Sequence, residues 1–357
     1  MMDTIDTYLS SGIRFIGYHN SHSHVISLGC FIRIGLEHET INGTAHFLEH
    51  MVFNGTKKRS SQRIAQDIDQ LGGHMNAYTS REYTCYYLTV LPECIKQAIA
   101  LLTDIVYHPL LSGADIQKER SVISEEIAMY QDSPEDVAYD QLYHSMFPDH
   151  PFGKPILGKK EDVQCITADV LKTFHTYYRD PRHVMIVATG NLPTSLVNLC
   201  NQACQFSANN RPHFQQIPLR YHCAYVKKRK KIEQLHFHIG LKACHNTHPD
   251  RYALIVLHTL LGGGMGSLLF QSIREEKGWA YAIGSSLACY HEIGILSISG
   301  GILPHVWDQT YELICQHYDY LQQYPFSHKR LEQVKIGVKS SLLMGLETSS
   351  SWMHWLA

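Results

Sequence analysis

His46-Phe47-Leu48-Glu49-His50 sets two imidazoles four residues apart, with a carboxylate beside the second. Positions four apart share one face of a helix, so His46 and His50 can offer two ring nitrogens to a single cation. Zinc takes about four ligands, and a hydrolytic site draws roughly three from protein, leaving one place for water whose pKa falls toward about 7. A carboxylate near the ion but not bound to it can take that water's proton and pass it to a leaving amine, a role that suits Glu49. Ala45, Phe47, Leu48, Met51, Val52 and Phe53 around the motif are apolar and would embed the helix in a core, drying the site and strengthening its electrostatics. A buried helix whose histidines are only hydrogen-bonded would read the same way, so the pattern needs a third ligand.

The stretch Gly113 to Tyr130 offers one. Its apolar stripe of Ile116, Val122, Ile123, Ile127 and Tyr130 predicts a helix on which Glu126 points inward and Glu125 outward. Glu119 lies two turns before Glu126 on the same face, where a purely structural helix would prefer leucine. Buried carboxylates need a partner, and a cation is the obvious one. A half-exposed stripe edge with salt bridges is the structural alternative.

Taken together these residues resemble the pitrilysin family of inverted-motif metallopeptidases, which includes insulin-degrading enzyme and the mitochondrial processing peptidase. Three segments carry the likeness in the family's order: His46 to Thr56, Gly72 to Thr79, and Glu119 to Ile127, with Glu126 standing 76 residues after His50. The resemblance implies one zinc ion per chain on His46, His50 and Glu126, Glu49 as general base, and Glu119 as a supporting carboxylate that orients a ligand. It also implies that Asn76 and Ala77 lie on an edge strand to which an extended peptide adds, although Asn76 can equally just end a strand. Arg274 and Tyr281 are similar to the family's substrate-facing pair, which would reach the metal across a chamber and donate to the scissile carbonyl as it becomes an oxyanion. Because this chain carries both sets, the resemblance implies a homodimer, with a homologous partner subunit as the other arrangement.

The chain has 357 residues, 44% of them hydrophobic, and a net charge of −2. That length predicts two domains, here expected at 1–206 and 222–357 around a linker at 207–221. The charge balance gives no reason to expect nucleic acid or an anionic membrane as partner. No run of about 20 apolar residues occurs, and the start has neither a secretory nor a transit pattern, so residence in the cytoplasm is expected. Ten scattered cysteines include no CxxC, which predicts neither a zinc ribbon nor a disulfide framework and makes Cys30 and Cys85 small core residues.

In the first half, strands are expected at Gly12 to Tyr18, Val25 to Ile34, Tyr83 to Leu91 and His183 to Thr189. The helices expected there are the His46 helix, Ser60 to Leu71, Pro92 to Tyr107, the Glu126 helix, Pro134 to Met146, Thr167 to Tyr178 and Pro193 to Phe206. The second half repeats the theme without HxxEH. Its strands are expected at Ile232 to Gly240, Ala280 to Tyr290 and Gly294 to Gly300, with helices at Arg251 to Leu261 and Ser327 to Gly345. The glycine loop Gly262 to Ser267 lacks the Gly-Lys-Ser/Thr end of a phosphate-binding loop. The basic run Lys227 to Lys231 reads as a hairpin tip, and His19, His22 and His24 as a solvated turn. The second half stops sooner than the family's pattern implies, which reads as truncation.

The expectation is an α+β fold of two homologous domains, each a mixed, mainly antiparallel sheet covered by helices, enclosing a chamber. The expected activity is zinc-dependent endopeptidase cleavage of peptides or of unfolded and precursor segments. A noncatalytic or partner-dependent subunit of a processing complex is the alternative.

Overall fold

The computed structural model describes residues 3–205 and 217–357. In chain order its elements are strands β1 (Asp3–Tyr8), β2 (Arg14–His19) and β3 (Ile26–Ile32), helices α1 (Thr44–Met51) and α2 (Ser61–Gln70), and strands β4 (His74–Thr79) and β5 (Thr84–Val90). Helices α3 (Ile95–Tyr107), α4 (Gly113–Asp132), α5 (Pro134–Met146), α6 (Lys160–Cys165) and α7 (Ala168–His175), strand β6 (Val184–Gly190) and helix α8 (Leu196–Ala203) follow. After the gap come β7 (Leu235–Ala243), α9 (Arg251–Gly262), β8 (Ala280–Cys289), β9 (Gly294–Ile302), α10 (Trp307–Gln323), α11 (His328–Gly345) and α12 (Ser349–Leu356).

Two compact units form, and they do not follow chain order. The first comprises the described residues within 1–128, 154–217 and 345–357, and the second those within 129–153 and 218–344. The expected linear division differs from this because α5 and α12 are sorted by their apolar faces rather than by their place in the chain. Leu142 and Met146 of α5 lie against Gly240 of β7, and Met353 of α12 is buried among Ile16, Phe31, Cys85 and Val187 of the first sheet. The expected linker at 207–221 and the end of the helix expected to reach Phe206 lie largely outside the described residues.

The first unit is built on a mixed six-stranded sheet in the order β1-β2-β6-β3-β5-β4. β2 pairs with β6 in parallel, and every other neighbouring pair is antiparallel. β3 sits inside the sheet with helices on both faces, which is why all seven of its residues are buried and why its sequence is nearly continuously apolar. One face packs on Phe47, Leu48 and Met51 of α1 and Leu102 and Ile105 of α3, while α12 covers the other. β4 is an outer strand, so one of its edges is free of sheet partners among the described residues, and β1, which lies ahead of the first expected strand, closes the opposite side.

The second unit has a three-stranded antiparallel sheet in the order β7-β9-β8. Its core gathers Phe237, Leu261, Ile273, Ile298, Ile302 and Ile314. Helix α10, absent from the sequence expectation, contributes Ile314 and Thr310 as its buried residues, too sparse a stripe to announce itself. Among the described residues no strand lies directly before Lys227 to Lys231, and residues 221–234 form no element. The hairpin-tip reading is therefore corrected: the run is an exposed connection, with Lys230 Nζ donating to the Gln131 carbonyl over 2.7 Å. Among the described residues no helix is long and apolar enough to cross a membrane.

Candidate active site

Helix α1 begins at a position that suits glycine. Gly43 adopts φ +90°, and a Cβ there would lie 2.7 Å from the Leu157 carbonyl oxygen. Glu39 then accepts from the Gly43 and Ala45 backbone N–H groups at 3.0 and 2.8 Å, satisfying orphan donors of the first turn and favouring the positive end of the helix dipole. With Ala45, Phe47, Leu48 and Met51 in the core, the remaining face of α1 carries His46, Glu49 and His50 toward α4 and β4.

His46, His50 and Glu126 converge, each offering a ligand atom within 4.8 Å of the others. Glu126 Oε2 lies 3.6 Å from His46 Nε2 and 3.6 Å from His50 Nε2. On α4, Ile116, Ile123 and Ile127 are buried together with Glu119, and Glu126 is half-exposed. Val122 departs from the expected stripe at 45% exposure, because 3.6-residue periodicity turns it to the rim while Ile123 keeps the centre.

Glu119 Oε2 lies 3.2 Å from His50 Nδ1. The hydrogen bond from His50 comes first among the causes that hold the Glu119 carboxyl below its ordinary value, against burial and with help from Asn54. An ionised carboxylate can only accept. His50 Nδ1 therefore carries the proton, and in the neutral ring Nε2 turns its lone pair toward Glu126.

The two histidines differ in electrostatics. Burial, aided by the neighbouring His50, drives His46 down to about 3, so His46 is a neutral ring with a free lone pair. Burial also pulls on His50, but Glu119, Glu126 and Glu49 together outweigh it and raise its pKa. A cation at this place would replace that proton. Burial raises Glu49, opposed by a hydrogen bond from Thr79 and by His50. A raised carboxyl is closer to the working range of a base near neutral pH.

Thr79 Oγ1 donates to Glu49 Oε2 at 2.6 Å. Nothing local in Gly72 to Thr79 reports this contact, in which a hydroxyl reaches a side chain thirty residues earlier in the chain. Asn76 and Ala77 lie on β4, opposite Tyr87 and Tyr86 of β5, and Asn76 Oδ1 accepts from the Ala77 N–H at 2.8 Å.

Arg274 and Tyr281 belong to the second unit, where the structure brings them together. Arg274 sits in a π-helical segment, Phe270–Glu276, with its guanidinium carbon 4.7 Å from the Phe270 ring centre and 5.2 Å from that of Tyr281. β8 and β9 slip register between Ala280 and Ala282, making Tyr281 the extra residue of a bulge, and its side chain is 80% exposed. Bulges and π-turns commonly re-aim side chains at functional places. Helix α9 carries no HxxEH. Its His258 Nδ1 lies 2.8 Å from Ser285 Oγ of β8.

An α+β unit bearing a His/His/Glu cluster beside an outer strand, joined in one chain to a second α+β unit without the motif, defines a two-domain α+β fold. Solved structures share it: a protease from Helicobacter pylori superposes with a TM-score of 0.91 at 21% identity, covering 98% of this chain and 87% of that one. A peptidase M16 inactive domain from Pseudomonas fluorescens superposes at 0.86 and 18% identity, covering 99% and 86%. At those identities the likeness shows the fold alone. The family model described as Insulinase (Peptidase family M16) matches residues 14–160, and the one described as Peptidase M16 inactive domain matches 166–338. Among relatives, the uncharacterized zinc protease YmxG of Bacillus subtilis is 36% identical over 346 residues, 96% of this chain and 84% of that protein. An uncharacterized zinc protease of Mycobacterium leprae is 33% identical over 360 residues, 98% of this chain and 80% of that protein. The chain belongs to peptidase family M16.

Proposed function

We propose that this chain is a zinc-dependent endopeptidase acting on peptides or on unfolded and precursor segments. The observation that carries the reading is the convergence of His46, His50 and Glu126 beside a separate, half-buried carboxylate, Glu49. The donor set fits the ion: two imidazoles and one carboxylate are a known catalytic zinc combination, and tetrahedral bonds of about 2.1 Å leave ligand atoms about 3.4 Å apart. The 3.6 Å separations from Glu126 to each ring are close to that spacing.

Zinc held by His46, His50 and Glu126 would supply Lewis acidity and lower the pKa of a water toward about 7. Glu49, beside that cluster and not part of it, would hold and move the proton, from the attacking water to the leaving amine. Glu119 fixes the His50 tautomer and ring orientation. The free edge of β4, at Asn76 and Ala77, takes the peptide as an added strand through main-chain hydrogen bonds. Arg274 and Tyr281 are proposed as donors to the scissile carbonyl on the resemblance to the family. A homodimer suits a chain with both residue sets, and its mass in solution checks that.

Glu49→Gln tests the reading most directly. The variant should keep one zinc per chain and lose peptide hydrolysis by about a hundredfold or more, measured by metal analysis and cleavage of a fluorogenic peptide library with and without chelator. Turnover retained at full zinc removes Glu49 as the base. A wild-type protein that holds zinc yet cleaves nothing alone would favour a partner-dependent subunit.

A further inference from the structure

We propose that Thr79 is a positioning residue that aims Glu49, so that the strand receiving the substrate's backbone also aligns the base. This rests on the assignment of Glu49 as general base. Thr79 is the last residue of β4, three after Asn76 and two after Ala77. Its hydroxyl donates to Glu49 Oε2 over 2.6 Å, the length of a hydrogen bond to an ionised oxygen.

A glutamate side chain is among the most freely rotating, whereas a base must hold its reacting distance within a fraction of an ångström. Threonine is the opposite case. Its β-branch restricts χ1 and suits a strand, so the donor sits on a stiff stem in a paired segment, with Thr79 opposite the fully buried Thr84 of β5. With Oε2 engaged, Oε1 has no donor among the described residues and is left to receive a proton. A peptide that pairs with β4 orders the strand ending in this hydroxyl, which ties substrate docking to base alignment.

A merely structural tie between strand and helix is the competing account, and the second unit has one in Ser285 of β8 and His258 of α9. The test must therefore separate alignment from packing. Thr79→Val removes the donor and keeps the shape; Thr79→Ser keeps the donor and drops the methyl. Both should bind one zinc per chain and unfold within about 2 °C of wild type, as expected for a half-buried site. Thr79→Val should lose kcat by about tenfold or more with KM within about twofold, and Thr79→Ser should stay within about threefold of wild type. Wild-type kcat in Thr79→Val, equal losses in the two variants, or a loss confined to KM would each overturn the proposal. Should Thr79→Val fail to fold, Thr79→Ala is read against Thr79→Ser by the same criteria. Failure of the base assignment shows elsewhere, as turnover in zinc-loaded Glu49→Gln.

Discussion

Burial and charge act in opposite proportions on His46 and His50, and the difference is set by which carboxylate each ring meets. His46 is buried and faces Glu126, while His50 is clamped between Glu126 on one nitrogen and Glu119 on the other. A ligand clamped in this way is held in one tautomer and made more basic, so its partner governs affinity without touching the ion. Glu119→Gln keeps an acceptor for His50 but removes the charge. It should weaken zinc affinity by about ten- to a hundredfold with folding unchanged, measured by competition with a chelator of known affinity. Wild-type affinity would leave Glu119 as packing. Glu119's inward direction was legible from its seven-residue interval to Glu126, because helical periodicity is local. Its pairing with His50 was not, because 69 residues separate them.

The elements that hold the candidate residues are irregular within each unit. α1 starts from a left-handed glycine and is capped by Glu39, and β8 bulges at Tyr281 next to a π-turn that holds Arg274. A regular strand would alternate Tyr281 with its neighbours across the sheet, whereas the extra residue frees it to stand over Arg274. Tyr281→Phe keeps the ring against the guanidinium and removes only the hydroxyl. At 80% exposure the fold should be unaffected, and kcat should fall by about tenfold or more with a smaller change in KM. Steady-state kinetics at wild-type values would make Tyr281 a bystander. Neither the bulge nor the π-turn was legible, since both arise from competition between strand pairing and packing. The regular helices around them followed their apolar spacing closely; the helix expected at Pro134 to Met146 has those bounds in the structure.

At the scale of the whole molecule, the first unit's core contains a histidine that resists charge. His175 is 7% exposed and its Nε2 donates to the Val106 carbonyl at 2.8 Å, yet burial holds its pKa down to about 4. The unfolded chain takes up this proton near pH 6.5 and the folded one only near 4, so stability is full above about 6.5 and is lost as pH falls between those values. The loss is of order 3 kcal/mol, and His38, also driven down to about 4 by burial, acts in the same direction. Urea unfolding of the chelator-treated protein at pH 7.5 and pH 4 should show it, and His175→Gln should flatten the dependence. A midpoint independent of pH in the wild type would contradict the assignment.

By itself the sequence supplied the candidate site: HxxEH and Glu126 on a second helix bring together residue types that can share an ion, and residue spacing along a helix says which of them share a face. The α+β class followed too, because periods of two and 3.6 are properties of short segments. Only the tertiary structure decided that Thr79 meets Glu49, that Glu119 meets His50, and that α12 returns 160 residues after Thr189 to close the first sheet, where Ser349 accepts its hydrogen bond. Such contacts are chosen by burial of apolar faces and pairing of buried polar groups across the fold, and neither leaves a local trace in the order of residues.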